Sequence, residues 1–182
     1  MDTIKNPNIF WLTGMSGSGK TTLANDVKER YENCGLSVRI IDGDVIRNDD
    51  KSKLGFGYED VKTNNLRIAG ICLDICSTFD IVIVPVISPY DSIRKEVRRV
   101  LSPIFHLIYL DSDIESLKLR DTKGLYASAD RGEITDLIGY SERNPYETPL
   151  NADIVIGTGV NSSLDESREK LFNYVDCAIN YK

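Results

Sequence analysis

The chain has 182 residues, 22 Lys+Arg against 28 Asp+Glu, a formal net charge of −6, 41% hydrophobic and 27% charged residues. That length suits one domain of ~100–200 residues, which buries enough surface to fold without disulfide or metal staples, and the composition excludes wholesale disorder. The acid excess excludes broad coating of a nucleic acid, which needs dense Lys/Arg contacts to phosphate, but leaves room for one small polyanion. The opening MDTIKNPN shows no charged stretch followed by an apolar one. No run approaches the ~20 apolar residues of a membrane helix. A reduced, cytoplasmic protein with no membrane partner is expected.

In chain order, Ile9–Thr13 (IFWLT) reads as a strand that runs into a glycine loop. Lys20–Asn33 reads as a helix, with Leu23, Ala24, Val27 and Tyr31 at helical spacing and Cys34-Gly35 closing it. Val38–Ile41 is a second strand, ending at Asp42-Gly43-Asp44; a helix from about Glu59 to Phe79 sets Leu66, Ala69, Leu73 and Cys76 on one side. Cys72 and Cys76, four apart, read as thiols on one buried face rather than a metal or redox pair. Asp80–Ile87 (DIVIVPVI) suits a strand covered on both faces. Pro89 then pushes Ser88 into an extended or turn conformation. Ser92–Leu101 is a short basic helix whose Arg94, Lys95, Arg98 and Arg99 read as a solvated face; Phe105–Leu110 is a strand that contains the sole histidine, His106. Residues 121–149 are polar, without persistent core periodicity, as in a mobile lid. Asp153–Ile156 and Leu164–Tyr181 supply a fifth strand and a closing helix, with Tyr126 and Tyr146 as lid packing. Strands alternating with helices predict a single α/β domain over 1–182: a three-layer sandwich on a central, mostly parallel five-stranded sheet.

Gly14-Met15-Ser16-Gly17-Ser18-Gly19-Lys20-Thr21 satisfies GxxxxGK[ST] between a strand and a helix, the context that the mechanism of a P-loop NTPase needs. The glycines let backbone N–H groups turn toward phosphate oxygens, and the helix N-terminus adds its positive dipole end. Lys20 can bridge β- and γ-phosphates and the Thr21 hydroxyl can ligate Mg²⁺. No guanine-reading NKxD sequence occurs, since Thr122-Lys123-Gly124 lacks the aspartate. A small ATP-dependent kinase is favoured over a GTPase or an ATP motor. In a parallel sheet, ligands sit beyond the carboxyl ends of the strands. Two such ends carry chemistry here. Asp42-Gly43-Asp44, with Arg47, offers carboxylates for Mg²⁺ or a hydroxyl proton beside a cation, or else a capped turn that feeds a helix. Ile87-Ser88-Pro89-Tyr90 offers backbone groups to a ligand, or else a plain turn.

The order GMSGSGKTT, IDGDVIR, LGF, ISPY, RDTKGLY, GEITD and NPYETP strongly resembles adenylyl-sulfate kinase (APS kinase) from Ile9 to about Thr158. The resemblance implies a P-loop kinase, commonly dimeric, that uses MgATP to phosphorylate the 3′-hydroxyl of adenosine 5′-phosphosulfate, a small-molecule nucleotide acceptor. It assigns the ATP phosphates to Gly14–Thr21 with Thr22, and Mg²⁺ to Thr21 and Asp44. Asp44 would also act as base toward the 3′-hydroxyl, with Asp42 in support. Arg47, Asn64 and Arg67 would contact the acceptor, Phe56 would stack on its base, and the backbone of Ile87 and Ser88 would hold it. Ser88 also enters the catalytic set as a phosphoserine intermediate that direct in-line transfer does not need. Arg120 and Lys123 would belong to a lid over ATP, with Lys123 and Leu125 reaching the acceptor.

Departures from the family pattern fall in the acceptor half. Val45 stands for an asparagine, Val61 for an arginine, Leu137 for an aromatic that would face Phe56 across the base, and Asp91 for a cation. Lys62, adjacent to Val61, points elsewhere on a helix. These leave two alternatives beside APS: a kinase for another 5′-activated nucleotide such as cytidine diphosphoramidate, and a non-catalytic nucleotide-binding regulator.

Overall fold

The computed structural model describes residues 7–48 and 54–180. β1 (Asn8–Thr13) lies at the centre of a sheet that also contains β2 (Val38–Ile40), β3 (Ile81–Pro85), β4 (Phe105–Asp111) and β5 (Ile154–Gly157), in the order β2-β3-β1-β4-β5. All four pairings are parallel, so the sheet is wholly rather than mostly parallel. Alternation along β1 sends Ile9 and Trp11 to one face and Phe10 and Leu12 to the other, and all four are fully buried. α3 (Tyr58–Ile75) and α4 (Asp91–Leu101) cover the first face; α1 (Lys20–Asn33) and α7 (Leu164–Ala178) cover the second. Such double coverage is why the strands read as continuous apolar runs.

Several boundaries differ from the expected ones. β3 stops at Pro85 rather than Ile87, although the Val86 amide still donates to the Leu12 carbonyl at 3.1 Å. The buried stripe of α3 is Val61, Asn65, Ile68 and Cys72, at spacings of four, three and four, so Leu73 of the expected face is exposed. Tyr181, the expected end of the last helix, lies outside the described residues; α7 itself opens on a reciprocal capping box between Ser163 and Glu166.

Three short helices complete the fold: α2 (Gly43–Asn48), which is the helix that the capped turn at Asp42-Gly43-Asp44 feeds, and α5 (Ile114–Arg120) and α6 (Leu125–Asp130), which were not expected. The last two revise the picture of the polar 121–149 stretch, because Leu117, Tyr126 and Leu137 are buried together in a small core of their own. The lid is therefore a packed unit. No helix among the described residues is long and apolar enough to cross a membrane.

Candidate active site

The loop from β1 to α1 ends at Gly19, whose φ of 91° is a left-handed conformation that glycine adopts without steric cost. That turn leaves the first amides of α1 facing outward as anion donors. The Lys20 ammonium donates to the Gly14 carbonyl at 2.8 Å, the Met15 carbonyl at 2.7 Å and Ser18 Oγ at 3.4 Å. Burial lowers its pKa to about 7, with Lys123 acting the same way and Asp44 and Asp42 opposing. A polyphosphate beside it would add the negative charge that this buried cation lacks.

Around the loop lies a cavity of about 750 Å³. Of the candidate residues, Ser16, Gly17, Ser18, Gly19, Lys20, Thr21, Thr22, Asp42, Asp44, Ile87, Arg120 and Lys123 line it. Gly14 and Met15 take part through the carbonyls that hold Lys20. One wall was missed in the sequence: Leu119, Val160 and Leu164, exposed by 78%, 64% and 45%, join Thr158, Gly159 and Ser162 there. Large apolar side chains left open beside a phosphate loop are surface that a flat apolar ring can cover. No motif marks them, because they come from α5, the loop after β5 and the start of α7, brought together only by the sheet order.

α2 presents the paired aspartates. A Cβ on Gly43 would lie 2.7 Å from Val86 Cγ2, so a side chain there would push α2 off the end of β3. Asp42 caps α2, its Oδ1 accepting from the Asp44 amide at 2.8 Å. The exposed Asp44 carboxylate pairs with Lys123 at 3.0 Å. Arg47 donates to the Gly55 carbonyl, and its guanidinium carbon lies 5.0 Å from the centroid of Phe56, which is 44% exposed. Burial lowers the pKa of Arg47, against Asp44 and Asp60.

The remaining acceptor candidates lie outside the cavity lining. Asn64 is buried with neither side-chain polar atom bonded; Ser88 is buried in a left-handed conformation at φ 45° with Oγ unbonded. Arg67 is exposed on α3. Leu125 packs against the lid core rather than facing the cavity. Leu137 is also in that core, which is where its apolar side chain goes instead of facing Phe56. Val61 fills the main core, and Lys62 pairs with Glu96 of α4 at 2.9 Å. The expected solvated face of α4 is wrong at Arg94, which is 1% exposed. His106 is a strand residue as expected, bonded to Tyr174 and Asn8.

The fit to a divalent cation follows from donor chemistry. Among the described residues no group of three His, Cys, Asp or Glu side chains could hold a metal. The carboxylates that line the cavity are Asp44 and Asp42, and the exposed Thr21 is one of several hydroxyl residues there. A hard cation that takes one or two protein oxygens and fills its remaining positions from phosphates and water suits this set, as Mg²⁺ does.

Comparison with known proteins gives a consistent picture. The pattern of the family described as Adenylylsulphate kinase matches residues 6–157. The chain is 35% identical over 175 residues to the adenylyl-sulfate kinase of Clostridium kluyveri, covering 96% of this chain and 86% of that protein. It is 38% identical over 160 residues to the adenylyl-sulfate kinase of Paraburkholderia xenovorans, covering 86% and 88%. Among solved structures, the Mycobacterium tuberculosis APS kinase CysC in complex with AMPPNP and APS superposes with a TM-score of 0.84 at 30% identity, covering 94% of this chain and 99% of that one.

Proposed function

The chain belongs to the adenylylsulphate kinase family, and from that premise we propose that it transfers the γ-phosphoryl group of ATP to the ribose 3′-hydroxyl of APS, giving PAPS and ADP. The observation that carries this reading is one cavity lined both by the phosphate loop and by the strand-end residues Asp42, Asp44 and Ile87. Donor phosphates and an acceptor hydroxyl meet there without crossing protein. Transfer of this kind passes through a loose transition state, so positioning and charge neutralisation dominate over base strength.

Each residue then has a task. The amides of the loop and the Lys20 ammonium hold the β- and γ-phosphates. Thr21 and Asp44 would hold Mg²⁺, which when bound neutralises phosphate charge and orients the transferred group. Asp44 accepts or orients the acceptor's 3′-hydroxyl proton, while Asp42 fixes α2 by capping it. Arg120 and Lys123 approach the phosphates from the lid side. Phe56, backed by the Arg47 guanidinium, offers its free face to the acceptor's base, and the unbonded polar atoms of Asn64 suit a polar ligand. The Leu119–Val160–Leu164 slot takes the adenine of ATP. As part of the same proposal the chain works as a homodimer, which sedimentation velocity would read as a species of twice the chain mass.

An ADP-release assay with MgATP and a panel of 5′-activated nucleotides tests the proposal. Turnover of APS at micromolar concentration supports it. Activity with cytidine diphosphoramidate or another derivative and none with APS overturns the choice of acceptor. ATP binding with no turnover on any acceptor overturns the catalytic reading.

A further inference from the structure

Beginning two residues past the end of β3, Ile87, Ser88 and Pro89 have every carbonyl held, and each hold traces to one short segment at the C-terminal end of the 121–149 stretch. Thr13 Oγ1 donates to the Ile87 carbonyl at 2.5 Å and also lies 2.9 Å from the Tyr146 hydroxyl. A hydroxyl has a single proton to donate, so with Thr13 committed to Ile87 the Tyr146 hydroxyl is the donor to Thr13. Arg94 Nη1 donates to the Ser88 carbonyl at 2.8 Å, while Nη2 donates to the Glu147 carbonyl at 2.7 Å. The Glu147 amide donates to the Pro89 carbonyl at 2.9 Å, and its carboxylate accepts from the Asp91 amide at 2.6 Å. Tyr146 completes the set by lying under the Arg94 guanidinium, whose carbon is 5.8 Å from the Tyr146 ring centroid, and by stacking on Tyr109.

Two physical consequences follow. A left-handed φ of 45° at a serine is disfavoured and persists only where neighbours over-determine it, which three consecutive anchored carbonyls do. A trans peptide sets its N–H opposite its carbonyl, so pinning the Ile87 carbonyl onto Thr13 turns the Ser88 amide away from Thr13. The loop is thus held in one geometry from below. Its anchor, the segment around Tyr146 and Glu147, is the C-terminal end of the lid, whose Gly139 amide donates to the Asn144 carbonyl at 2.7 Å. A planar guanidinium can bridge two carbonyls in fixed directions, which the point charge of a lysine cannot.

We propose that Arg94 and Tyr146 are positioning residues that lock the 87–89 loop to the C-terminal end of the lid, so that loop geometry and lid position change together. Their effect on turnover rests on the reading above, in which that loop holds the acceptor. The lock itself is a property of the protein alone.

The test uses the full-length wild type, Tyr146→Phe, which removes one O–H and keeps the ring, and Arg94→Lys, which keeps the charge. Hydrogen–deuterium exchange of the ligand-free proteins is read for segments 86–90 and 144–149. Steady-state kinetics are read for both substrates. The expected result is faster exchange in both segments together. It is accompanied by an acceptor KM raised roughly tenfold, as loss of one buried hydrogen bond allows, with the KM for ATP within about twofold of wild type. Unchanged exchange in Tyr146→Phe, or faster exchange in one segment only, overturns the lock. Faster exchange in both with unchanged acceptor KM overturns its role in positioning the acceptor. If Arg94→Lys fails to fold, Tyr146→Phe decides alone. If the wild type turns over no acceptor, the proposed activity fails and the exchange data still decide whether the lock exists.

Discussion

Lys20 and Asp44 differ in how firmly the protein holds them. The Lys20 ammonium already has three acceptors at 2.7–3.4 Å, whereas Asp44 has one exposed partner, Lys123, in a pair that solvent screens. Asp44 is therefore free to exchange Lys123 for a ligand at little cost, while Lys20 is fixed against the loop. Lys20→Ala is expected to abolish turnover in the ADP-release assay. Asp44→Asn is expected to lower kcat by a larger factor than it raises acceptor KM, since the task proposed for it belongs to the transition state. Near wild-type kcat would remove Asp44 from the machinery. The cysteines give a second prediction. Burial pushes the Cys72 thiol up to about 12, whereas Cys34 and Cys177 are exposed. Reaction follows thiolate fraction and access, so a disulfide reagent at pH 8 should label Cys34 and Cys177 quickly and Cys72 only after denaturation, as peptide mapping would show. At this scale the P-loop was legible because its chemistry is local. Arg94 was not: its Nη1 and Nη2 donate to carbonyls of Ser88 and, 53 positions away, Glu147, and nothing in an Arg-rich helix announces them.

The long elements were legible and the short ones were not, for a reason of period. α1 spans Lys20–Asn33 as its apolar spacing required, but α5 and α6 have seven and six residues, under two turns, too few to repeat a pattern, and α2, just as short, was marked only by its capping turn. The lid read as coreless because its core is shared: Leu117 comes from α5, Tyr126 from α6 and Leu137 from the loop beyond. This unit touches the phosphate loop through the Tyr126 hydroxyl, which donates to the Ser16 carbonyl at 2.8 Å. Tyr126→Phe keeps the packing and loses that bond. It should raise the KM for ATP by roughly two- to tenfold, the worth of one such bond, and leave acceptor KM unchanged. A shift in acceptor KM instead would mean that the lid acts on the other half of the site. A different element pair carries a pH dependence. His106 on β4 stacks on Phe10 at 4.9 Å and bonds to Tyr174 of α7 at 2.9 Å and Asn8 of β1 at 3.0 Å. Burial lowers its pKa, with Asp153 opposing and Arg98 assisting. The unfolded chain therefore takes up this proton at a higher pH than the native one, and stability falls as pH drops through about 6.5, the ordinary histidine value. Urea midpoints at pH 7.5 and 5.5 should show a drop for wild type that is smaller in His106→Phe; equal drops would rule out His106 as the source.

Parallel pairing puts the ends of β1, β2 and β3 on one edge of the sheet, and the site is the sum of what those ends carry. Alternating strands and helices made that edge legible in outline. Strand order was needed to bring the loop after β5 beside the phosphate loop, and order is a property of the whole molecule rather than of any motif. Charge behaves the same way. The chain is −6 overall, yet the charged residues that line the cavity are Lys20, Arg120 and Lys123 against Asp42 and Asp44, a local excess of one cation in addition to outward-facing amides. A compact polyphosphate meets that excess, whereas an extended polyanion meets mainly the acidic exterior. A non-hydrolysable ATP analogue with Mg²⁺ at a hundred times its Kd should stabilise the native state by ~2.7 kcal/mol. For a domain of this size that raises Tm by roughly 5–10 °C. Calorimetry or dye-monitored melting would read the shift. It should shrink when a chelator removes Mg²⁺ and vanish in Lys20→Ala. Duplex DNA at physiological salt should give none, because the cations that stabilise ATP lie inside a cavity that a duplex cannot enter. A DNA-induced shift equal to that of the analogue would place the binding cations on the exterior and refute this distribution of charge.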